Sequence, residues 1–585
     1  MFENIGEPSS SPFCCILRLM KELGRFAGFR RVTHEVRIGS ALIGARHPIL
    51  VQSMTTTSTK DVAATIAQTV RLAKAGCDLV RITTPTQTDA ACLEKIVAGV
   101  RSQGVTVPLC ADIHFQPAAA FEAIKWVEKV RINPGNFVDA KTAYGFRKDF
   151  TESDYDRGLQ KIADKFAPLV REAKSRGVAL RIGTNHGSLS DRILARYGDT
   201  PEGMVVSALE YLAVCEAENF DQVVFSMKAS NPKVVIQCYR MLVQRLAEGG
   251  HKAYPLHLGV TEAGEGRDGR LKSAVGIGAL LLDGLGDTIR VSLTEDPVEE
   301  IAPGRTLVRA CIRPFAEDVS IATGFGGTRL AETDDGLVEA CDPLKYARRE
   351  TAPVQIGGVS AGSGSPVRVG ADTFLPERKE RAVEWTEEQL ASVGSASVVA
   401  SSLETQGPWG VRRLAARLSN GSRRPLLALR WKLNGDEEDE LRMAAVLGSL
   451  LCDGYGDLVA LSGKPVDECV DLAYDVLQAA GARQSKASFV SCPSCGRTLF
   501  DLVETSARIR ARTGHLKDVS IAIMGCIVNG PGEMADADFG YVGGAPGTVS
   551  LYVGRDCVRK GVPEAQAPDA LVELIKEQGR WSDPE

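Results

Sequence analysis

From about Pro48 to Thr294, short apolar runs alternate with longer amphipathic stretches. The runs are "PILVQSM", "DLVRIT", "PLCADIH", "EKVRIN", "VALRIGT", "QVVFSMK", "YPLHLGV" and "TIRVSL". Between most of them lie segments such as "DVAATIAQTVRLAKAG" (Asp61 to Gly76), with the acidic start and glycine stop of a helix. Near-continuous apolar runs are the mark of buried parallel strands, and strand-then-helix repetition demands a parallel sheet. Eight such units over roughly 250 residues predict a (β/α)8 TIM barrel. A doubly wound sheet competes, but the count of eight favours closure.

Beyond the last run the pattern changes. From about Asp296 to Ser485 the character differs, and within it the Gly- and Ser-rich "QIGGVSAGSGSPVRVG" (355–370) reads as a flexible connection. Alternating helical and strand-like segments follow, including "PLLALRWKL" and "GDLVALSG". No cluster of site-type residues stands out there, so a structural insert is expected. The predicted order is an extension over 1–32, a barrel over 33–296, an inserted α/β domain over 297–485 and a C-terminal α+β domain over 486–585.

Length and composition agree. A chain of 585 residues calls for two to four domains. Hydrophobic content of 44% and charged content of 24% describe an ordinary globular protein. A net charge of −5 argues against a nucleic-acid binder. Fifteen cysteines in a long chain without a secretory signal point to a reducing compartment. No apolar run approaches the roughly 20 residues that span a bilayer. The start, "SPFCCILRLMKELGRFAGFRR", is weakly amphipathic and basic and reads as a ragged extension. A cytoplasmic protein is expected.

The polar residues inside the strand-like runs carry the chemistry. Arg81, Arg131, Arg181 and Arg290 interrupt apolar alternation, and Lys228 in "FSMKASN" plays a similar part. Each lies late in its strand, where a barrel builds its active site. One such Arg is ordinarily an ion-pair partner. Five cations converging on one mouth call for a multiply anionic ligand, because a dry barrel cannot hold unpaired positive charge. Arg also offers a bidentate fork to phosphate oxygens, so a diphosphate-sized substrate is inferred.

Three further stretches decorate the same face. Glu262 in "GVTEAGEG" is a candidate proton donor or acceptor, or an ordinary loop acid. "KSAVGIGALLLDGLGD" begins with Lys272 and Ser273 and has Gly276 and Gly278, which suits a helix N-terminus near an anion or simply close packing. "ADIHF" places Asp112 and His114 at the end of strand three, where a held His is as often structural as catalytic.

Near the end, "CPSCGR" supplies Cys492 and Cys495 as C-x-x-C. A zinc ribbon would need a second such pair roughly 12–20 residues on, and none follows. Instead Cys526 comes 526 − 495 = 31 residues later, and Glu533 another 533 − 526 = 7, after the turn "NGPG". Three thiolates suit three irons of a cubane cluster, and a carboxylate on the fourth leaves an iron that substrate oxygen can reach. Taken singly, Cys526 could be a core thiol and Glu533 a solvated turn acid.

Together these motifs resemble a known family. "VQSMTTTSTKDV", "LVRITTPT", "ADIHF", "RINPGN", "IGTNHGSL", "SMKAS", "LHLGVTEAGEG", "KSAVGIGALLLDGLGDTIRVSLTEDPVEEI", "CPSCGR" and "GCIVNGPGE" resemble the 4-hydroxy-3-methylbut-2-enyl diphosphate synthases, in their long three-domain form. The likeness covers roughly residues 33–300 and 488–560. It implies a [4Fe–4S] cluster on Cys492, Cys495, Cys526 and Glu533. It also implies that Arg81, Arg131, Arg181, Lys228, Arg290, Ser292, Asn136 and Asn185 surround the diphosphate, with Glu262 near the reacting carbons. One departure is His186 in "GTNHGS", which leaves the shape of that loop open; "RITTP" is also slightly altered but keeps Arg81.

The resemblance implies ring opening and reductive dehydroxylation of 2-C-methyl-D-erythritol 2,4-cyclodiphosphate, with electrons from flavodoxin or ferredoxin. The C-terminal domain would then close over a barrel mouth, its own or that of a partner in a homodimer. Two rivals are a non-redox barrel of the pteroate-synthase type with a structural zinc, and a metal-regulated binding protein without catalysis.

Overall fold

In the computed structural model all eight apolar runs of the first half become parallel strands. These are β3 (Leu50–Met54), β4 (Leu79–Thr83), β5 (Leu109–Asp112), β6 (Lys129–Ile132), β7 (Ala179–Asn185), β8 (Val223–Lys228), β9 (His257–Leu258) and β10 (Thr288–Ile289). An antiparallel hairpin, β1 (Val36–Ile38) and β2 (Ala41–Ile43), precedes them. The structure describes residues 30–584 apart from 45–46, 114–115, 139–149, 313–343, 345, 374, 376–380, 395–396, 420–423, 528–529 and 535. Nearly all of the expected extension therefore lies outside the described residues, and so does His114.

The strands run β8-β7-β6-β5-β4-β3-β10-β9, and a parallel bridge from Phe225 to Leu256 closes the ring. The β1–β2 hairpin plugs the N-terminal end, where Val36, Ile38 and Ile43 pack on Leu79, Ala179 and Val224. Two residues further along the strands the interior turns polar: Gln52, Lys129, Arg181, Ser226 and His257 are buried there. Barrel interiors are ordinarily filled by branched apolar side chains. This one is built around charge.

The stretch expected to be a flexible connection is ordered. "VQI" and "VSA" form the hairpin β11 (Val354–Ile356) and β12 (Val359–Ala361), turning on Gly357 and Gly358 at φ of 56° and 93°. Glycine reaches such angles without strain, so a Gly-rich run here marks a tight turn rather than a linker. It leads into β13 (Arg368–Ala371), β14 (Trp385–Thr386), β15 (Val398–Ser402), β16 (Leu426–Lys432) and β17 (Leu458–Ser462), all parallel in the order β14-β13-β17-β16-β15.

This insert repeats part of the barrel. Its strand order matches the arc β4-β3-β10-β9-β8, and the fixing hydrogen bonds recur. The Arg31 amide donates to the Gly284 carbonyl at 2.9 Å, as Arg349 does to Gly454 at 2.9 Å. The Leu256 amide donates to the Asp287 carboxylate at 2.9 Å, as Leu427 does to Asp457 at 2.9 Å. The Val51 amide donates to Asp78 at 2.8 Å, as Val369 does to Glu384 at 2.9 Å. "LLLDGLGD" at 280–287 and "LLCDGYGD" at 450–457 are the matching sequences.

The two copies meet about a pseudo-two-fold axis. Barrel helix Gly266–Leu282 packs on insert helix Glu437–Cys452 so closely that a Cβ on Gly278 would lie 2.4 Å from that of Ala445. Reciprocally, a Cβ on Gly448 would lie 2.5 Å from Val275. Beside this contact Arg240 bridges Asp283 at 2.8 Å and Asp453 at 2.7 Å, while Arg412 bridges the same two at 3.0 and 2.9 Å. All four side chains are at most 4% exposed. Two charges of each sign alternate in a closed ring, so none is left uncompensated.

The C-terminal sheet runs in sequence order: β18 (Ser488–Ser491), β19 (Ser520–Met524), β20 (Phe539–Ala545), β21 (Thr548–Val553) and β22 (Asp556–Pro563). Among the described residues no helix is long and apolar enough to cross a membrane.

Candidate active site

β18 and β19 are parallel neighbours with Ser491 opposite Ile523, so the residues that follow them emerge at one edge of the sheet. Cys492 follows β18 directly and Cys526 follows β19 by one residue. The C-x-x-C loop then turns Cys495 back, with Ser494 at φ 60° and the Thr498 amide donating to the Cys495 carbonyl at 2.9 Å. Three thiols from separate stretches of sequence thus gather at one place. Burial raises the pKa of the Cys492 thiol, and Cys495 and Cys526 beside it push the same way. Glu533 ends the short helix Gly530–Glu533; its side chain lies outside the described residues.

That edge sits on the barrel mouth of the same chain. Ala263 and Ser491 form a parallel bridge across the seam. The Thr294 hydroxyl donates to the Cys492 carbonyl at 3.1 Å, and Arg510 pairs with Glu265 at 3.0 Å. Gly187, at φ 75°, lies so close to Gly532 that a Cβ would come within 2.2 Å of its carbonyl. The loop whose shape His186 left open is therefore fixed against the helix that bears Glu533. His186 itself turns to Asp199, its Nε2 lying 3.2 Å from the carbonyl.

Between the domains lies a cavity lined by residues of both. The barrel contributes Arg81, Arg131, Asn185, Lys228, Glu262, Arg290 and Ser292 to its lining, with Met54, Asp112 and Thr261. The other wall contributes Cys492, Cys495, Arg497 and Cys526.

The expected cations are not equivalent. Arg131 donates to Asp112 at 3.0 Å, to the Gly183 carbonyl at 2.8 Å and to Asn185 at 2.7 Å. Arg290 makes a bidentate pair with Glu300, at 2.9 and 2.8 Å. Arg81 leans on the Met54 sulfur at 2.8 Å, and burial lowers its pKa to about 10. Burial and then the neighbouring arginines lower Lys228 well below the ordinary lysine value. Arg181 does not line the cavity. It sits one layer deeper, where its Nη1 donates to Ser226 at 2.7 Å, and Nε and Nη2 are buried without a partner. Asn136 is buried in the helix Pro134–Phe137 and also lies outside the lining.

Glu262 is 4% exposed and holds φ at 51°. A non-glycine residue in this region costs on the order of 1 kcal/mol and persists where the surroundings demand it. Burial lowers nearby Lys272 to about 8, and Glu262 opposes that shift. Lys272 and Ser273 stay out of the cavity lining, and Gly276 and Gly278 serve packing rather than a ligand. A Cβ on Gly276 would lie 2.4 Å from Val260.

Two participants escaped the sequence reading. Glu300 stands in "DPVEEI" with nothing in its spacing to single it out. Arg497, in "CPSCGR", is a part-buried cation on the cysteine wall; its Nη2 lies 3.9 Å from Asp112. Burial opposes its charge, yet Cys495, Asp112 and Cys526 together raise its pKa above the ordinary arginine value.

Among the described residues no three of His, Cys, Asp or Glu gather as ligands of one metal ion. Three soft donors nevertheless line one cavity, which is the donor type that suits an iron–sulfur cluster.

Comparison with known proteins bears on the whole chain. Residues 33–305 match the GcpE TIM-barrel domain, and residues 488–577 match the GcpE protein C-terminal domain. A "4-hydroxy-3-methylbut-2-en-1-yl diphosphate synthase (flavodoxin)" of Akkermansia muciniphila is 45% identical, over 95% of this chain and 98% of that one. A protein of the same name from Protochlamydia amoebophila is 42% identical, over 95% and 97%. The "(ferredoxin), chloroplastic" protein of Oryza sativa is 40% identical, over 95% and 88%. Among solved structures, a dihydropteroate synthase from Xanthomonas albilineans covers 47% of this chain and 96% of its own at 13% identity, with a TM-score of 0.30.

Proposed function

The chain belongs to the GcpE family, and from that premise we propose that it opens the ring of 2-C-methyl-D-erythritol 2,4-cyclodiphosphate and removes a hydroxyl. The product is 4-hydroxy-3-methylbut-2-enyl diphosphate, an isoprenoid precursor. Two electrons come from flavodoxin or ferredoxin, the donors in the relatives' names. The observation that carries the reading is one cavity lined by barrel cations on one side and three cysteines on the other.

Charge supports the substrate. Arg81, Arg131, Lys228, Arg290 and Arg497 line the cavity against Asp112 and Glu262, and Glu300 pairs with Arg290 from outside the lining, so positive charge is still in excess. A buried excess of positive charge is tolerable only beside an anion. In this reading the four barrel cations hold the diphosphate, with Asn185 and Ser292 donating hydrogen bonds to it. Arg181 adds positive potential from the layer below, and Asn136 shapes the loop after β6. Glu262, aimed by its strained backbone, is the proton donor nearest the reacting carbons.

Cys492, Cys495, Cys526 and Glu533 would hold a [4Fe–4S] cluster, which supplies single electrons and an iron open to substrate oxygen. The protein closes around both and excludes water from the reacting carbons. In this reading one chain supplies both walls of the cavity. The insert is read as structural: its copy of the Arg290 position, in the strand after "LLCDGYGD", is Ala460. The twelve free cysteines among the described residues are in keeping with a reducing, cytoplasmic setting.

The test is anaerobic preparation with iron and sulfide determination, followed by turnover of the cyclic diphosphate with a chemical reductant. Protein that carries zinc without iron and leaves the substrate untouched would sink the reading.

A further inference from the structure

Asp112 stands between a buried cation of the barrel and a largely covered one of the C-terminal domain. Its Oδ1 accepts from Arg131 of the barrel at 3.0 Å, and its Oδ2 lies 3.9 Å from Arg497 Nη2 of the C-terminal domain. Asp112 and Arg131 are each 2% exposed, and Arg497 is 11% exposed at its side chain. Two further donors of Arg497, Nε and Nη1, are buried with no hydrogen-bond partner. The loop that carries Arg497 is seated on the barrel one residue earlier, where a Cβ on Gly496 would lie 2.6 Å from the Thr57 carbonyl.

We propose that Arg497 is a positioning residue that couples filling of the barrel mouth to closure of the C-terminal domain, acting through Asp112. The inference rests on the reading of the cavity as a cyclic diphosphate site. With the mouth empty, Asp112 neutralises Arg131. An anion on Arg131 takes over that neutralisation and leaves the Asp112 carboxylate beside added negative charge. Like charges in a dry site repel strongly; Arg81 and Arg290 also feel Asp112, but Arg497 is the cation beside it that the C-terminal domain brings. The filled mouth therefore draws Arg497 inward, and the cysteine wall comes with it. By linkage, closure tightens substrate binding by the same factor as substrate tightens closure.

The experiment uses full-length, anaerobically prepared protein and reads hydrogen exchange at the amides of residues 491–498, with and without 2-C-methyl-D-erythritol 2,4-cyclodiphosphate. This readout follows the seam itself rather than turnover. In the unsubstituted protein the substrate should slow exchange there about tenfold or more, the range of one charge-assisted contact. Arg497→Met should lose most of that slowing, and Arg497→Lys, which keeps charge without the fork, should recover part of it. On an Asp112→Asn background Arg497→Met should add nothing, since the partner it acts through is gone.

If Arg497→Met retains the full slowing, or costs as much with Asn at position 112 as with Asp, the inference is wrong and Arg497 either is passive or touches substrate directly. If substrate slows exchange nowhere in the unsubstituted protein, the substrate reading falls and takes the inference with it.

Discussion

Arg290 and Glu300 form a bidentate ion pair at 2.9 and 2.8 Å, with the two side chains 2% and 1% exposed. The arginine at the barrel mouth is thus held by an acid from the segment that follows the last strand. The Ser53 hydroxyl donates to the same carboxylate at 2.7 Å, tying it to β3.

That pairing separates two cations of the same site. Arg290→Ala should weaken binding of the cyclic diphosphate and also strand a buried carboxylate, costing about 3–5 kcal/mol of stability. Lys228→Ala removes a cation that burial already disfavours, so binding should fall roughly tenfold to hundredfold with stability kept. Calorimetric titration and thermal unfolding of both variants measure this. Equal stability loss in the two, or unchanged binding in both, would count against a diphosphate at the mouth.

The cysteine wall makes a second test. Cys526→Ser should lose iron and the visible absorbance of anaerobic protein, because one of three gathered thiolates is gone. Glu533→Cys should keep iron and sulfide yet lose turnover, since a fourth thiolate leaves no iron open to substrate. Iron content and turnover with a chemical reductant decide both. A Glu533→Cys protein with near-normal turnover would refute the role given to Glu533.

The ring of Arg240, Asp283, Arg412 and Asp453 lies away from the cavity lining. Arg412→Met leaves two buried carboxylates to share Arg240, so a loss of about 3 kcal/mol or more is expected. Substrate affinity should stay within a factor of about two, because the mouth is untouched. Thermal unfolding and titration together check it; a large affinity loss would give the insert a functional part.

Lys129 offers a pH test. Burial lowers its pKa to about 7, with Gln52 3.3 Å away as its hydrogen-bond partner. The unfolded chain keeps that proton to about pH 10, so between pH 7 and 10 it binds more protons than the folded one and stability rises with pH. Lys129→Met removes this slope. Its stability advantage over the parent should be larger at pH 6 than at pH 9, by at least about 1 kcal/mol. Unfolding at the two pH values measures the gap, and a gap that grew with pH would reverse the assignment.

Much of this protein was legible in one dimension. Eight apolar runs specify eight strands because a strand buried on both faces needs apolar side chains throughout. The late cations announce an anion because an apolar interior does not carry charge without cause. Motifs as long as "KSAVGIGALLLDGLGD" and "CPSCGR" carry the family likeness. The repeat was also there to be read, in "LLLDGLGD" against "LLCDGYGD" and "RRVT" against "RRET", but the intervening copy of the barrel lacks three strands and hides the period.

What the tertiary structure alone decided is which groups share a space. Arg81 and Arg181 occupy the same kind of position in "LVRI" and "LRIG", yet only Arg81 lines the cavity, because strand stagger around a closed barrel puts Arg181 a layer lower. Gly276 and Gly278 read in the sequence equally well as ligand approach or packing, and in the fold Val260 and Ala445 lie against them. Arg497 and Asp112 are 385 residues apart (497 − 112) and meet only because the parallel pair β18–β19 delivers its loops onto the barrel mouth. Local sequence sets strand and helix through backbone periodicity. Contacts between distant segments depend on how whole elements stack, and no local pattern records that.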